Sequence, residues 1–215
     1  GGVRFAYAAI RNSVSIVAKD FQCAGYDTLA RHVAEIKGIA CASYLASLFR
    51  KHLKLAEDSF RYVKVALLDG TSGFDPITAD RQSRYYSIEE RLPGEWGKMN
   101  SNNGFVDNRP EFALAQAFSH FTHHVTNNEV MVLDLQGTAS PDGKFVLTDP
   151  AVQTRDRRRF KNPTNIGETA IVKFYQAHRC NDFCETLKLP RMMSVEQRPG
   201  TSTNAYGALP MLEAL

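Results

Sequence analysis

Two apolar runs, Val130 to Leu135 and Lys144 to Leu147, flank Ser140-Pro141-Asp142-Gly143, with Asp134 and Asp149 toward their outer ends. Proline and glycine at those places suit a tight reversal, so the runs read as adjacent antiparallel strands. With Pro141 and Asp142 as the central turn residues, a regular register sets Asp134 opposite Asp149. Opposed residues have Cβ atoms about 4.5 to 5.5 Å apart, and two like charges so placed repel unless a proton or cation intervenes. Gln136, two residues beyond Asp134, shares its face in a regular strand. Two carboxylates and an amide oxygen are hard ligands suited to Mg²⁺, which keeps waters and substrate phosphates in its other positions. Two alternatives stand beside this. One aspartate caps the hairpin while the other ends it, or carboxyl groups about 5 to 5.5 Å apart serve a retaining glycosidase.

Composition decides how the four cysteines are read. The chain has 215 residues, 43% hydrophobic and 23% charged, enough for a substantial core and unlike a disordered chain. Its net charge of +3 gives no ground for a nucleic-acid partner. The longest apolar stretch, Gly38 to Phe49, includes Ser43 and Tyr44 and falls short of the about 20 apolar residues of a spanning helix. No membrane span is expected. Without a signal peptide, four cysteines point to a reduced, cytoplasmic setting rather than a disulfide framework, and the start at Gly1 reads as an excised domain. Cys23 and Cys41 stand among apolar residues and read as small buried hydrophobes. Cys180 and Cys184 instead follow His178 in a His-x-Cys-x-x-x-Cys cluster.

Thiolate and imidazole together select Zn²⁺, and a closed four-ligand site is structural. Cys180 and Cys184 can share one helix face, whereas His178 and Cys180 cannot, so a helix end near Arg179 is needed. The fourth ligand must come from elsewhere: His120, beside the apolar stripe Leu114, Ala117, Phe118 and Phe121, or its rivals His123 and His124. Two buried thiols and a surface imidazole are the bland alternative.

Along the chain, Val3 to Ile10 and Val14 to Phe21 read as strands, which places Lys19 on the second. Tyr26 to His52 has helical periodicity and carries Glu35. A strand over Tyr62 to Leu68 precedes a polar loop, and Ile88 to Leu92 followed by Pro93-Gly94 marks a boundary between two lobes. Pro110 opens a second helix, and Asn165-Ile166-Gly167-Glu168 leads into a last one with Ile171, Phe174, Tyr175 and His178. A strand lysine with a helical glutamate is the kind of pair that positions nucleotide phosphates in kinases, but no Asp-Phe-Gly is present, and His178-Arg179-Cys180 lacks a catalytic aspartate.

Six ordered blocks together resemble the alpha-kinase family of atypical protein kinases: Asn100 to Gly104, Ala117 to Thr122, Val132 to Gly137, Leu147 to Pro150, Asn165 to Glu168, and His178-x-Cys180-x-x-x-Cys184. The resemblance implies a two-lobed α+β protein-kinase-like fold with a structural zinc site in the C-lobe. It also implies transfer of the γ-phosphate of ATP to a protein Ser/Thr hydroxyl, with Mg²⁺. The single domain would comprise an N-lobe over about residues 1–86, a hinge over about 88–92 and a C-lobe over about 94–215. By matching motifs, Lys19 would hold phosphates with Glu35 as its partner, and Gly2 and Arg4 would belong to a phosphate-covering loop. Backbone groups of Glu90 and Leu92 would bind adenine. Asp134 would orient the substrate hydroxyl and take its proton, Gln136 and Asp149 would hold Mg²⁺, and His120, His178, Cys180 and Cys184 would ligate Zn²⁺. A catalytically weak or inactive kinase-like interaction module is the alternative.

Two departures stand out. Asn162 occupies a place where the family has glycine, in a loop thought to contact protein substrate, and no second glycine follows Gly137, so the hairpin turn is longer. Arg155, Arg157, Arg158, Arg159 and Lys161 form the densest basic run, read either as a solvated loop or as a dock for acidic or phosphorylated segments.

Overall fold

The computed structural model describes residues 3–69, 84–92, 94–160 and 162–191. Gly2, Pro93, Lys161, most of the polar loop and the tail beyond Pro199 lie outside the described residues. Strands β1 (Arg4–Arg11) and β2 (Val14–Phe21) form a hairpin turned by Asn12 and Ser13, both with positive φ. Helix α1 (Leu29–Leu53) starts at Thr28, whose side chain accepts from the Arg31 amide, and stops at Lys54 in the left-handed conformation. Then follow β3 (Phe60–Tyr62), β4 (Val65–Asp69), β5 (Tyr85–Glu90) and β6 (Trp96–Lys98). A 3₁₀ turn over Pro110–Phe112 opens α2 (Ala113–Val125) as expected from proline's missing amide hydrogen. The rest comprises β7 (Val130–Leu133), β8 (Gln136–Ala139), β9 (Phe145–Thr148), β10 (Ala151–Thr154), α3 (Glu168–Ala177) and α4 (Asp182–Thr186).

These strands make three sheets, ordered β1-β2-β5-β4, β10-β7 and β3-β9-β8-β6. The first sheet has a small core of Ile16, Ala18, Tyr86 and Ile88. A larger core joins α1 to α2, β3 and β9, with the Phe60 ring tilted against Phe118 at 4.8 Å and edge-on to Phe49 at 5.4 Å between centroids. Cys41 is buried as expected, but Cys23 is exposed, because it lies just beyond β2 where the sheet gives no cover.

The hairpin register differs from the expected one by one residue. Gly143 (φ +80°) extends the turn to Pro141-Asp142-Gly143, and the Ser140 amide bonds the Lys144 carbonyl at 2.9 Å. Gln136 therefore pairs with Thr148, and Leu133 with Ala151. Asp134 does not face Asp149 across a ladder. Both aspartates instead have left-handed backbones, φ 60° and 48°, at the break where β7–β10 gives way to β8–β9. Gly137 explains the family glycine at that place: with φ +149°, a Cβ would fall 2.1 Å from the Val146 carbonyl oxygen.

Candidate active site

The break between the two central sheets puts polar side chains where strands would otherwise continue. Asp149 follows β9 and receives cations from the first sheet on both oxygens: Arg4 of β1 at Oδ1, and Lys19 of β2 at Oδ2, 2.8 Å away. Burial alone would raise the Asp149 pKa, but Arg4 and Lys19 outweigh it and hold it below the ordinary carboxylate value. Lys19 is 6% exposed and also contacts Glu89 Oε1 at 2.6 Å and the Thr148 hydroxyl at 3.1 Å. Thr148 in turn donates to Glu89 at 2.9 Å. Burial first, offset by Lys19, raises the Glu89 carboxyl.

The expected Lys19–Glu35 ion pair is not formed. Glu35 on α1 pairs with Arg4 at 3.6 Å, while β5, antiparallel to β2, supplies Glu89 to the lysine instead. Helix α1 sits beyond Arg4 on this side of the sheet, so the arginine intervenes. Burial raises the Glu35 pKa, with Arg4 opposing it. Arg4 also donates to the Ser87 hydroxyl at 3.2 Å.

Asp134 faces a different cation, Lys98 at the end of β6, 2.5 Å from its Oδ1. Its place is set by Asn100, which is fully buried and accepts from the Leu135 amide at 3.1 Å while donating to Gln116 and Ser119 at 3.0 Å. Ser119 donates on to the Val132 carbonyl at 2.7 Å, so the chain on both sides of Asp134 is fastened to α2. Gln136 Nε2 donates to the Asp149 carbonyl at 3.2 Å and links the two aspartate segments. The Glu90 carboxylate pairs with Arg61 at 2.5 Å, and Leu92 lies just past β5, half-buried.

Glu89, Lys98 and Arg61 are charged partners that sequence reasoning missed. Glu89 had a signal: in a strand it alternates with the apolar Tyr86 and Ile88 and shares the face of Ser87, which pairs with Lys19. Lys98 had none, since a three-residue strand carries no readable period.

His120, His178, Cys180 and Cys184 bring one ligand atom each within 4.8 Å of one another. Helix α3 ends at Ala177 and His178 turns extended (ψ 136°), which frees it to meet Cys180, and Asn181 caps α4 so that Cys184 points back. Cys184 Sγ lies 3.6 Å from His178 Nε2, and Cys180 Sγ 3.8 Å from His120 Nδ1. With Zn–S about 2.3 Å and Zn–N about 2.0 to 2.1 Å, tetrahedral geometry requires S···N near 3.6 Å. The donor set and spacing fit that ion. Burial lowers the His120 pKa to about 3 and that of His178 to about 4, so both imidazoles are neutral, the form that metal ligation requires. His123, a rival ligand, bonds Tyr175 instead.

The 162–167 loop adjoins both regions. Asn162 accepts from the Thr164 amide at 2.9 Å and hydroxyl at 2.8 Å, so its side chain closes a turn in the place of glycine. Asn102 and Gln153 both donate to the Thr164 carbonyl at 2.9 Å, tying this loop to the segment after Lys98.

A model of the alpha-kinase family matches residues 1–184. Alpha-protein kinase vwkA of Dictyostelium discoideum is 30% identical over 194 residues, 88% of this chain and 30% of that protein. Eukaryotic elongation factor 2 kinase of Caenorhabditis elegans is 37% identical over 107 residues, 50% of this chain and 13% of that protein. The chain thus spans less than a third of the length of these curated relatives. The crystal structure of the alpha-kinase domain of myosin-II heavy chain kinase A in complex with AMP-PNP superposes with a TM-score of 0.70 at 27% identity, over 86% of this chain and 67% of that one. Among the described residues no helix is long and apolar enough to cross a membrane. The match over most of its length, together with the shared fold, means that this chain belongs to the alpha-kinase family.

Proposed function

We propose that the chain is an ATP- and Mg²⁺-dependent serine/threonine protein kinase of the alpha-kinase type. The observation that carries this reading is the convergence of Arg4 and Lys19 on Asp149, with Gln136 joining Asp149 to the Asp134 segment. Two cations and a metal-competent carboxylate at one point are what a triphosphate requires. Structures of the myosin heavy chain kinase A domain with AMP, ADP and AMP-PNP support a nucleotide in this cleft.

In this reading Lys19, anchored by Glu89 and Thr148, and Arg4, anchored by Glu35 and Ser87, hold phosphate oxygens. Gly2 belongs to the same phosphate-covering segment. Backbone groups of Glu90 and Leu92, in the hinge over about 88–92 between N-lobe and C-lobe, hold adenine. Gln136 and Asp149 would hold Mg²⁺, which when bound neutralises charge on the phosphates. Asp134 orients the Ser/Thr hydroxyl of the protein substrate and accepts its proton as the oxygen bonds the γ-phosphorus and the bond to the β-phosphate oxygen breaks, releasing ADP. Little covalent work falls to the protein, because alignment and charge neutralisation supply most of the acceleration. His120, His178, Cys180 and Cys184 would hold a structural Zn²⁺ that fastens α4 to α2, beside the hydrogen bond Asn181 makes to Ala113.

A thermal titration tests the nucleotide half. Mg-ATP at 100 times its Kd should stabilise the protein by about 2.7 kcal/mol, and Lys19→Met should remove most of that gain while the variant stays folded by circular dichroism. An equal gain in the variant would mean that Lys19 does not hold phosphates.

A further inference from the structure

We propose that the Arg155–Arg159 turn is a docking surface for an acidic segment of the protein substrate. The inference rests on the kinase reading above and names the chemistry of its substrate. Arg155, Arg157, Arg158 and Arg159 are all exposed, on the turn that leaves β10. Their local counter-charges are few. Asp156 pairs with Arg158 at 3.2 Å, although that arginine stays 90% exposed. Glu168 shares a shallow hollow with Arg155 without forming an ion pair with it. Among the described residues neither Arg155 nor Arg159 forms an ion pair, although Arg159 lies close enough to Asp156 to help lower its pKa.

The turn is held in shape, which separates it from an ordinary solvated basic loop. The Arg159 amide bonds the Asp156 carbonyl at 3.0 Å, and the Thr154 hydroxyl donates to the same carbonyl at 2.8 Å. Arg157 acts as a staple: its Nε donates to the Asn165 carbonyl at 3.2 Å, and its stem lies where a Cβ on Gly167 would meet it at 2.9 Å. Asn165 answers from the other side, accepting from the Thr154 amide at 3.1 Å and donating to the Thr154 hydroxyl at 2.7 Å. The backbone that carries these guanidinium groups is thus fixed before binding, which lowers the entropy lost on docking, and guanidinium can grip carboxylates in bidentate fashion.

Position links this array to the cleft. The staple joins it to the 162–167 loop, which Asn102 in turn ties to the segment after Lys98. Asp149 just before β10 and Arg155 just after it are six residues apart, at most about 20 Å at about 3.3 Å per residue, and Ala151 of β10 pairs with Leu133, the neighbour of Asp134. An extended substrate whose hydroxyl sits at Asp134 would therefore present acidic residues to the turn within about six positions of the acceptor.

The test compares a neutral Ser/Thr peptide with the same peptide carrying a short Asp/Glu block about six residues to either side of the acceptor. Wild type should show a KM about tenfold lower for one of the acidic peptides, with kcat and the KM for ATP unchanged, and added salt should erase the difference. The triple variant Arg155→Ala, Arg158→Ala, Arg159→Ala should lose the preference, whereas three Arg→Lys replacements should retain part of it. Arg157 is left intact because of its structural contacts. Equal KM values for all peptides in wild type, or a preference that survives in the alanine variant, would overturn the docking surface while leaving the kinase reading standing. Absence of transfer to every peptide would overturn the kinase reading and the proposal together.

Discussion

Replacing Asp134 with asparagine should lower the single-turnover rate of phosphate transfer by about 10²- to 10⁴-fold, the usual span for loss of a general base. ATP affinity and folding should stay as in wild type. Asparagine suits the test because it tolerates the left-handed backbone held at Asp134 (φ 60°) and keeps an oxygen for Lys98, 2.5 Å away. What it cannot do is take the proton of the substrate hydroxyl. Lys98 also makes the effect specific: it keeps the aspartate paired at the mouth of β6, so the variant loses a proton acceptor without leaving a buried cation alone, since Lys98 is itself 36% exposed. Rapid-quench measurement with radiolabelled ATP reads the rate directly, and a rate within about threefold of wild type would remove Asp134 from the chemistry.

Removal of zinc should damage the fold before it damages the chemistry. Metal analysis should find about one Zn per chain. Structural sites of this donor type bind with about 10 to 16 kcal/mol, against about 5 to 15 kcal/mol for the stability of a whole domain. The four candidate ligands come from α2 (His120), the end of α3 (His178) and α4 with its lead-in (Cys180 and Cys184), so the ion would lock three elements together. A strong chelator, or Cys184→Ser, should lower the melting temperature sharply and expose the α3–α4 segment to protease, with loss of activity following unfolding. A metal-free protein with unchanged melting and proteolysis would show that the cluster is two thiols and two imidazoles packed together.

The residues of the site were readable because polar groups interrupt otherwise apolar strands, as Asp134 does after Val130–Leu133 and Asp149 after Phe145–Thr148. Their mutual geometry was not. A turn of three residues and one of two use the same letters, Pro-Asp-Gly, and the single residue between them moves every partner along the hairpin. The pairing of Lys19 was misread for a related reason: local spacing favours the next helix and Glu35, whereas the sheet brings Glu89 from about 70 residues away. Strand β10 escaped notice because Ala151, Val152, Gln153 and Thr154 are all buried, so no alternation marks it, and the Gln153 amide bonds the Thr164 carbonyl at 2.9 Å to be tolerated there. The gathering of His120, His178, Cys180 and Cys184 is the clearest case in the other direction. Cysteine and histidine are chemically distinctive, and the required helix end near Arg179 falls at Ala177.

Phosphate transfer itself is the most direct measurement. Purified protein, Mg-ATP labelled at the γ-phosphate and Ser/Thr peptides without and with an acidic block should yield labelled phosphoserine or phosphothreonine, with transfer lost on omission of Mg²⁺ and about 10²- to 10⁴-fold slower in the Asp134→Asn variant. Binding of Mg-ATP with no label reaching any peptide or protein would contradict the kinase reading and identify the chain as a kinase-like interaction module.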